Sequence, residues 1–183
     1  MIQTRDELSK ILELLDSPNI INTSNNLVFH NKELTAITVN DLETDYGKES
    51  YILDPESGIN GHEIYYYRII SGTFRFLLQL HFIDNKFFFA GTKIATENEM
   101  LQSDKKIIID SVKKRYCIDE DCKDETFKIK DPQGNILTSH DNIFYYIKYL
   151  VNNEISRKLQ SQYSQHGGNG LGEDLDSTLD GLI

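Results

Sequence analysis

Cysteine is scarce in this chain, with Cys117 and Cys122 the two representatives in 183 residues, and long apolar runs and familiar catalytic signatures are missing altogether. The two cysteines are separated by Ile-Asp-Glu-Asp, and neither that spacing nor its neighbours make a zinc ligand set. With no export signal in view, both are expected to be reduced thiols. The stretch from Met1 to Lys10 carries acidic residues and no apolar h-region, and nothing approaches the roughly 18 apolar residues of a membrane helix. A cytoplasmic protein without a membrane partner is the expectation. Serine-nucleophile signatures, phosphate-binding loops and paired metal-binding histidines on a helix are also absent. No catalytic residue, cofactor or metal is therefore expected.

Positive charge is the other deficit. Nineteen Lys and Arg stand against 29 Asp and Glu, a formal net charge of −10. Such a surface repels phosphate backbones at long range, so nucleic acid is disfavoured as a partner and a basic protein is not. The acidic cluster of Asp119, Glu120, Asp121, Asp124 and Glu125 does not have the twelve-residue spacing of a calcium loop and is expected to be a solvated loop.

What is present is the composition of a globular domain, 39% hydrophobic and 26% charged. The length suffices for one domain with a real core. Thr4 followed by Glu7 is a capping-box pattern, and Leu8, Ile11, Leu12 and Leu15 recur at helical spacing until Ser17-Pro18 stops the run. From Leu27 to Ile94 the period changes to two, with turn signals at Asn31, Gly47, Gly58 to Gly61, Ser71-Gly72 and Asp84-Asn85, which predicts an antiparallel meander. A second helix is predicted from Thr96 to Tyr116 with Leu101, Ile108, Val112 and Tyr116 inward, although Ile107-Ile108-Ile109 also fits a strand. Phe127 to Leu137 reads as a hairpin around Asp131-Pro132-Gln133-Gly134. A third helix is predicted after it, capped by Asp141, with Ile143, Phe144, Ile147, Leu150, Val151 and Ile155 as its apolar stripe and Arg157-Lys158 at its C-terminal end. The fold class expected is α+β: an antiparallel β-meander sheet packed on one face by N-terminal and C-terminal helices, over residues 1–160, with a flexible acidic tail at 161–183.

Taking Ser71-Gly72 and Asp84-Asn85 as two-residue loops sets a register for the central strands. Phe74 then faces Ile69, Phe76 faces Tyr67, Leu78 faces Tyr65, Leu80 faces Phe89 and Phe82 faces Phe87, an apolar and aromatic face expected to be the core. The opposite face collects His62, Ile64, Tyr66, Arg68, Arg75, Leu77, Gln79, His81, Phe88, Ala90 and Thr92. On it Arg68 falls opposite Arg75, a like-charge pair that asks for an anion, and His62 falls opposite His81. Arg68, Arg75, His62, His81, Tyr66 and Gln79 are accordingly the candidate ligand-binding residues.

After Gln160 the chain turns to Ser, Gln and Gly, and Gly167-Gly168-Asn169-Gly170 leads into an acidic end. There Leu171, Leu175, Leu179 and Leu182 are spaced four, four and three apart among Glu173, Asp174, Asp176 and Asp180, a pattern that a partner's groove can fold into an amphipathic helix. In outline this segment resembles the acidic, hydrophobic-ended tails of bacterial single-stranded DNA-binding proteins, though no oligonucleotide-binding motif accompanies it. The leading expectation is a non-enzymatic acidic protein-binding module, an adaptor, inhibitor or chaperone-like protein, whose protein partner is basic or offers a hydrophobic groove. One alternative is an enzyme or binding protein for a small anionic ligand on the second sheet face. Another is single-strand binding with a partner-recruiting tail, which would use Tyr65-Tyr66-Tyr67 and Phe87-Phe88-Phe89 as stacking platforms.

Overall fold

The computed structural model describes residues 5–18, 20–53, 59–116 and 126–166. Cys117, Cys122, the acidic cluster from Asp119 to Glu125 and the tail leucines Leu171, Leu175, Leu179 and Leu182 lie outside the described residues. The fold is α+β, built on a mostly antiparallel eight-stranded sheet.

Helix α1 (Arg5–Leu12) runs into a 3-10 turn at Glu13–Asp16 and ends at Ser17-Pro18, as its apolar spacing predicts. Short strands follow: β1 (Ile21–Asn22), then β2 (Val28–Phe29) and β3 (Lys32–Glu33), which pair around His30-Asn31 with positive φ at both residues. A small helix α2 (Leu42–Tyr46) and the edge strand β4 (Tyr51–Leu53) lead to three long strands, β5 (His62–Ser71), β6 (Phe74–Ile83) and β7 (Lys86–Thr96). Helix α3 (Gln102–Tyr116) comes next, then β8 (Lys128–Lys130), β9 (Ile136–Asp141), β10 (Tyr145–Leu150) and α4 (Glu154–His166). The sheet order is β1-β8-β9-β10-β7-β6-β5-β4, with β1 and β8 parallel.

Several predicted elements differ from those observed. Thr96 is the last residue of β7 and caps no helix; α3 begins at Gln102, where the Asp104 carboxylate accepts from the Leu101 N–H. The largest difference is β10, which replaces the first half of the predicted third helix. Tyr145, Tyr146, Ile147 and Tyr149 are aromatic or β-branched, and β7 and β9 offer them a ladder on both sides. Asp141 therefore ends β9 and pairs with Lys105 at 2.7 Å. The helix start moves to Asn153, whose side chain accepts from the Ser156 N–H, and α4 continues past Gln160.

Helices pack on both sides of the sheet, where one covered face was expected. One core joins Tyr67, Leu78, Leu80, Phe82, Ala90, Tyr145 and Ile147 to Leu27, Phe29 and Leu34 and to Ile109, Val112 and Tyr116 of α3. A second joins Leu8, Ile11, Leu12 and Leu15 of α1 and Leu159 of α4 to Ile83, Phe88, Phe89, Ile136 and Leu150. Fully buried side chains such as Phe82 and Phe88 each contribute roughly 1.5–3 kcal/mol by leaving water. The cause lies in β6, where Leu77, Leu78, Leu80, Phe82 and Ile83 put apolar side chains on both faces of the strand.

Candidate functional site

The candidate site lies on the second face of β5, β6 and β7, and register determines which residues meet there. Ser71 stays in the ladder opposite Phe74, so the loop is Gly72-Thr73 and not Ser71-Gly72. Gly72 takes the first loop position at φ +58°, a backbone that glycine adopts without a steric cost. The ladder is thereby displaced by two residues from the predicted one: Ile69 faces Phe76, Tyr67 faces Leu78 and Tyr65 faces Leu80. A two-residue displacement preserves side-chain alternation, so the faces of β5 and β6 hold while the partners change.

The predicted like-charge pair is one casualty. Arg68 faces Leu77, and Arg75 faces Ile70. Arg75 instead reaches Glu97 at 3.0 Å in an exposed ion pair. His62 faces Ile83 and Ile64 faces His81, yet the histidines still meet diagonally, with His62 Nε2 and His81 Nδ1 2.9 Å apart.

Between β6 and β7 the register shifts once more. Phe82 faces Phe87 as predicted, but His81 faces Phe89, so Phe88 is an extra residue in β7. Beyond this bulge the alternation of β7 is inverted. Ala90 and Thr92, predicted for the second face, turn toward the first core opposite Leu80 and Leu78. Lys93 and Ala95 turn to the second face, opposite Leu77 and Arg75.

The six predicted ligand residues fall into two groups. His62, His81, Tyr66 and Gln79 are buried. The two histidine rings share one hydrogen bond among Phe88 and Phe89, and the Gln79 side-chain amide donates to the Tyr66 hydroxyl at 3.1 Å. The Tyr66 ring stacks on Tyr51, which covers it from the edge strand at 4.2 Å. Burial holds the His81 imidazole well below its ordinary pKa, and His62 beside it adds to the effect.

Arg68 and Arg75 form the second group, at the other end of the same face, and are exposed. They line an open groove of about 200 Å³ together with Ile70, Leu77, Lys93 and Ala95. Ile70 is 71% exposed, far more than an isoleucine in a packed sheet. Lys93 is not among the predicted ligand residues because regular alternation puts it on the first face, and the bulge that turns it to the second has no signature in a run of three phenylalanines. Its ammonium is held 3.5 Å above the centroid of the Phe144 ring. Three cations thus surround a short apolar floor, with Glu97 as the acid paired to Arg75.

No protein-family model, curated protein or solved structure matches the chain. Among the described residues no group of three or more His, Cys, Asp or Glu is placed to hold a metal ion. Among those residues, too, no helix is long and apolar enough to cross a membrane.

Proposed function

We propose that this chain is a non-enzymatic binding module that holds an anionic, partly apolar segment of a protein partner in the groove between Arg68, Arg75 and Lys93. One observation carries the reading: in a chain of net charge −10, Arg68, Arg75 and Lys93, with Glu97 paired to Arg75, line a groove with the exposed Ile70 and the half-buried Leu77 and Ala95. A field of that sign attracts carboxylates, and the Ile70, Leu77 and Ala95 floor rewards a partner that also brings apolar surface. The histidines belong to the buried half and are not among the groove's lining residues, which favours binding over catalysis. Base stacking is disfavoured in the same way, because Tyr67, Phe87, Phe88 and Phe89 are spent on the two cores.

Thermal unfolding in sulfate or phosphate, at constant ionic strength, tests the electrostatic half of this reading. An anion at a hundredfold its Kd adds about 2.7 kcal/mol, enough to raise Tm by several degrees in a chain of this size. Arg68→Gln combined with Arg75→Gln should remove the response. A Tm indifferent to every anion, or a response that survives both substitutions, would refute the groove as an anion site.

A further inference from the structure

Resting on that reading, we infer that the groove is occupied by the chain's own acidic, leucine-bearing end, the segment from Gly167 to Ile183, which competes there with any external partner.

The argument begins with complementarity. The groove offers Arg68, Arg75 and Lys93 around Ile70, Leu77 and Ala95. The segment offers Glu173, Asp174, Asp176 and Asp180 interleaved with Leu171, Leu175, Leu179 and Leu182. In a helix Leu175 and Leu179 lie one above the other on one face, each with an aspartate immediately before or after it in sequence. The groove crosses β5, β6 and β7, two strand spacings or about 10 Å, which accommodates about two helical turns of roughly 5.4 Å pitch. That is room for this central pair of leucines with acids on either side. Charge and apolar pattern therefore agree in the same short span.

Helix α4 ends at His166, and its Tyr163 packs with the cluster on the groove's own sheet face. The eight residues from Gly167 to Asp174 that lead to Leu175 extend on the order of 27 Å when stretched. Gly167, Gly168 and Gly170 put few conformational restrictions on the path back to the sheet. A tethered segment acts at an effective concentration on the order of a millimolar, so even a weak contact fills the groove in cis.

Fluorescence anisotropy of a labelled peptide with the sequence Gly167 to Ile183 tests this on full-length chains. The parent chain should bind the peptide at least about tenfold more weakly than a chain carrying Leu175→Ser and Leu179→Ser, whose own segment can no longer compete. Adding Arg68→Gln and Arg75→Gln to the latter should abolish binding, and the peptide's affinity should fall steeply with salt. Equal affinity for the parent and the leucine variant would overturn occupancy in cis, and so would binding that survives the arginine substitutions. Absence of peptide binding to the leucine variant would overturn it too. The anion melting experiment repeated on that variant separates the two ideas: a retained, arginine-dependent anion response beside a failed peptide experiment sinks the tail and spares the groove, whereas loss of both sinks the groove itself.

Discussion

His62 Nε2 lies 2.9 Å from His81 Nδ1 with both rings buried, and His81 Nε2 has no hydrogen-bond partner among the described residues. One ring donates and the other accepts, which requires at least one neutral imidazole. Phe88 and Phe89 stand against the His81 ring at centroid distances of 5.8 and 4.9 Å, and this apolar enclosure disfavours a positive charge there.

This geometry predicts acid lability. Burial lowers the pKa of His81, and burial also lowers that of His30, which packs between Phe29 and Tyr46. Unfolded histidines take up a proton near pH 6.5. Below that pH the unfolded chain binds more protons than the folded one, so stability is full above about pH 6.5 and declines as pH falls. The slope is at most about 1.4 kcal/mol per pH unit for His81 and less for the partly open His30. Denaturant midpoints from pH 7.5 to about 5 should show the decline, and His81→Gln should flatten it. An unchanged slope in that variant would mean that His81 titrates in the fold as it does in the unfolded chain.

Asp131 is expected to be among the most sensitive polar positions. Its carboxylate is buried and accepts from the backbone N–H groups of Gln133, Asn135 and Leu27 and from the Asn135 side chain, at 2.8–3.1 Å. It closes the β8–β9 turn and fastens the segment before β2 to it. Asp131→Ala would strand several donors and should cost about 3 kcal/mol or more, read as a shift of the urea midpoint at unchanged m. Asp131→Asn, which retains an acceptor oxygen, should cost less. Equal losses for the two would place the effect in packing and not in hydrogen bonding.

Phe144 and Phe82 should respond in opposite measure to truncation. Phe144 sits partly exposed in the β9–β10 turn beneath Lys93, whereas Phe82 is wholly buried. Phe82→Ala should cost about 3–5 kcal/mol and Phe144→Ala near 1 kcal/mol. Reversal of that order would contradict the strand at Tyr145–Leu150 and restore a docked helix.

Gly134 should resist any side chain. Its φ is +82°, and a Cβ there would meet the Asn152 side-chain nitrogen at 2.5 Å. Asn152 is already committed, donating to the Gln133 carbonyl and accepting from Arg157. Gly134→Ala should therefore cost about 1–3 kcal/mol in the same urea experiment. A neutral result would show that the turn can relax by another route.

Features set by local chemistry were legible in the sequence. The apolar spacing from Leu8 to Leu15, the Asp84-Asn85 turn with positive φ at both residues, and the Asp131 to Gly134 hairpin each follow from residues close together in the chain. Features set by distant pairing were not. Ile143 to Ile155 satisfies a helical spacing as well as its strand, and β7 and β9 decide between them. Likewise the sequence places Arg68 and Arg75 on one face with the histidines, but only the docking of α1 and α4 divides that face into a buried histidine half and an open arginine half. The proposed partner accordingly differs in sign from the basic one expected from the net charge: it is anionic and is proposed to meet the chain at Arg68, Arg75 and Lys93.

The bulge at Phe88 works like a change of reading frame within a strand. Upstream of it the β7 residue inside the first core is Phe87, and downstream the residues inside are Ala90, Thr92 and Ile94. Were β7 to continue past Phe87 as a regular ladder with all its residues kept, the parity of everything after it would invert: Lys93 would be aimed at the first core opposite Phe76, and Ile94 would lie bare beside the arginines. The bulge, and not the strand's own alternation, therefore decides which face Lys93 joins. Deleting Phe88 would remove the extra residue and leave a regular ladder in which His81 still faces Phe89 and Leu77 still faces Lys93, so the cation triad should survive the deletion while the second core loses a buried ring.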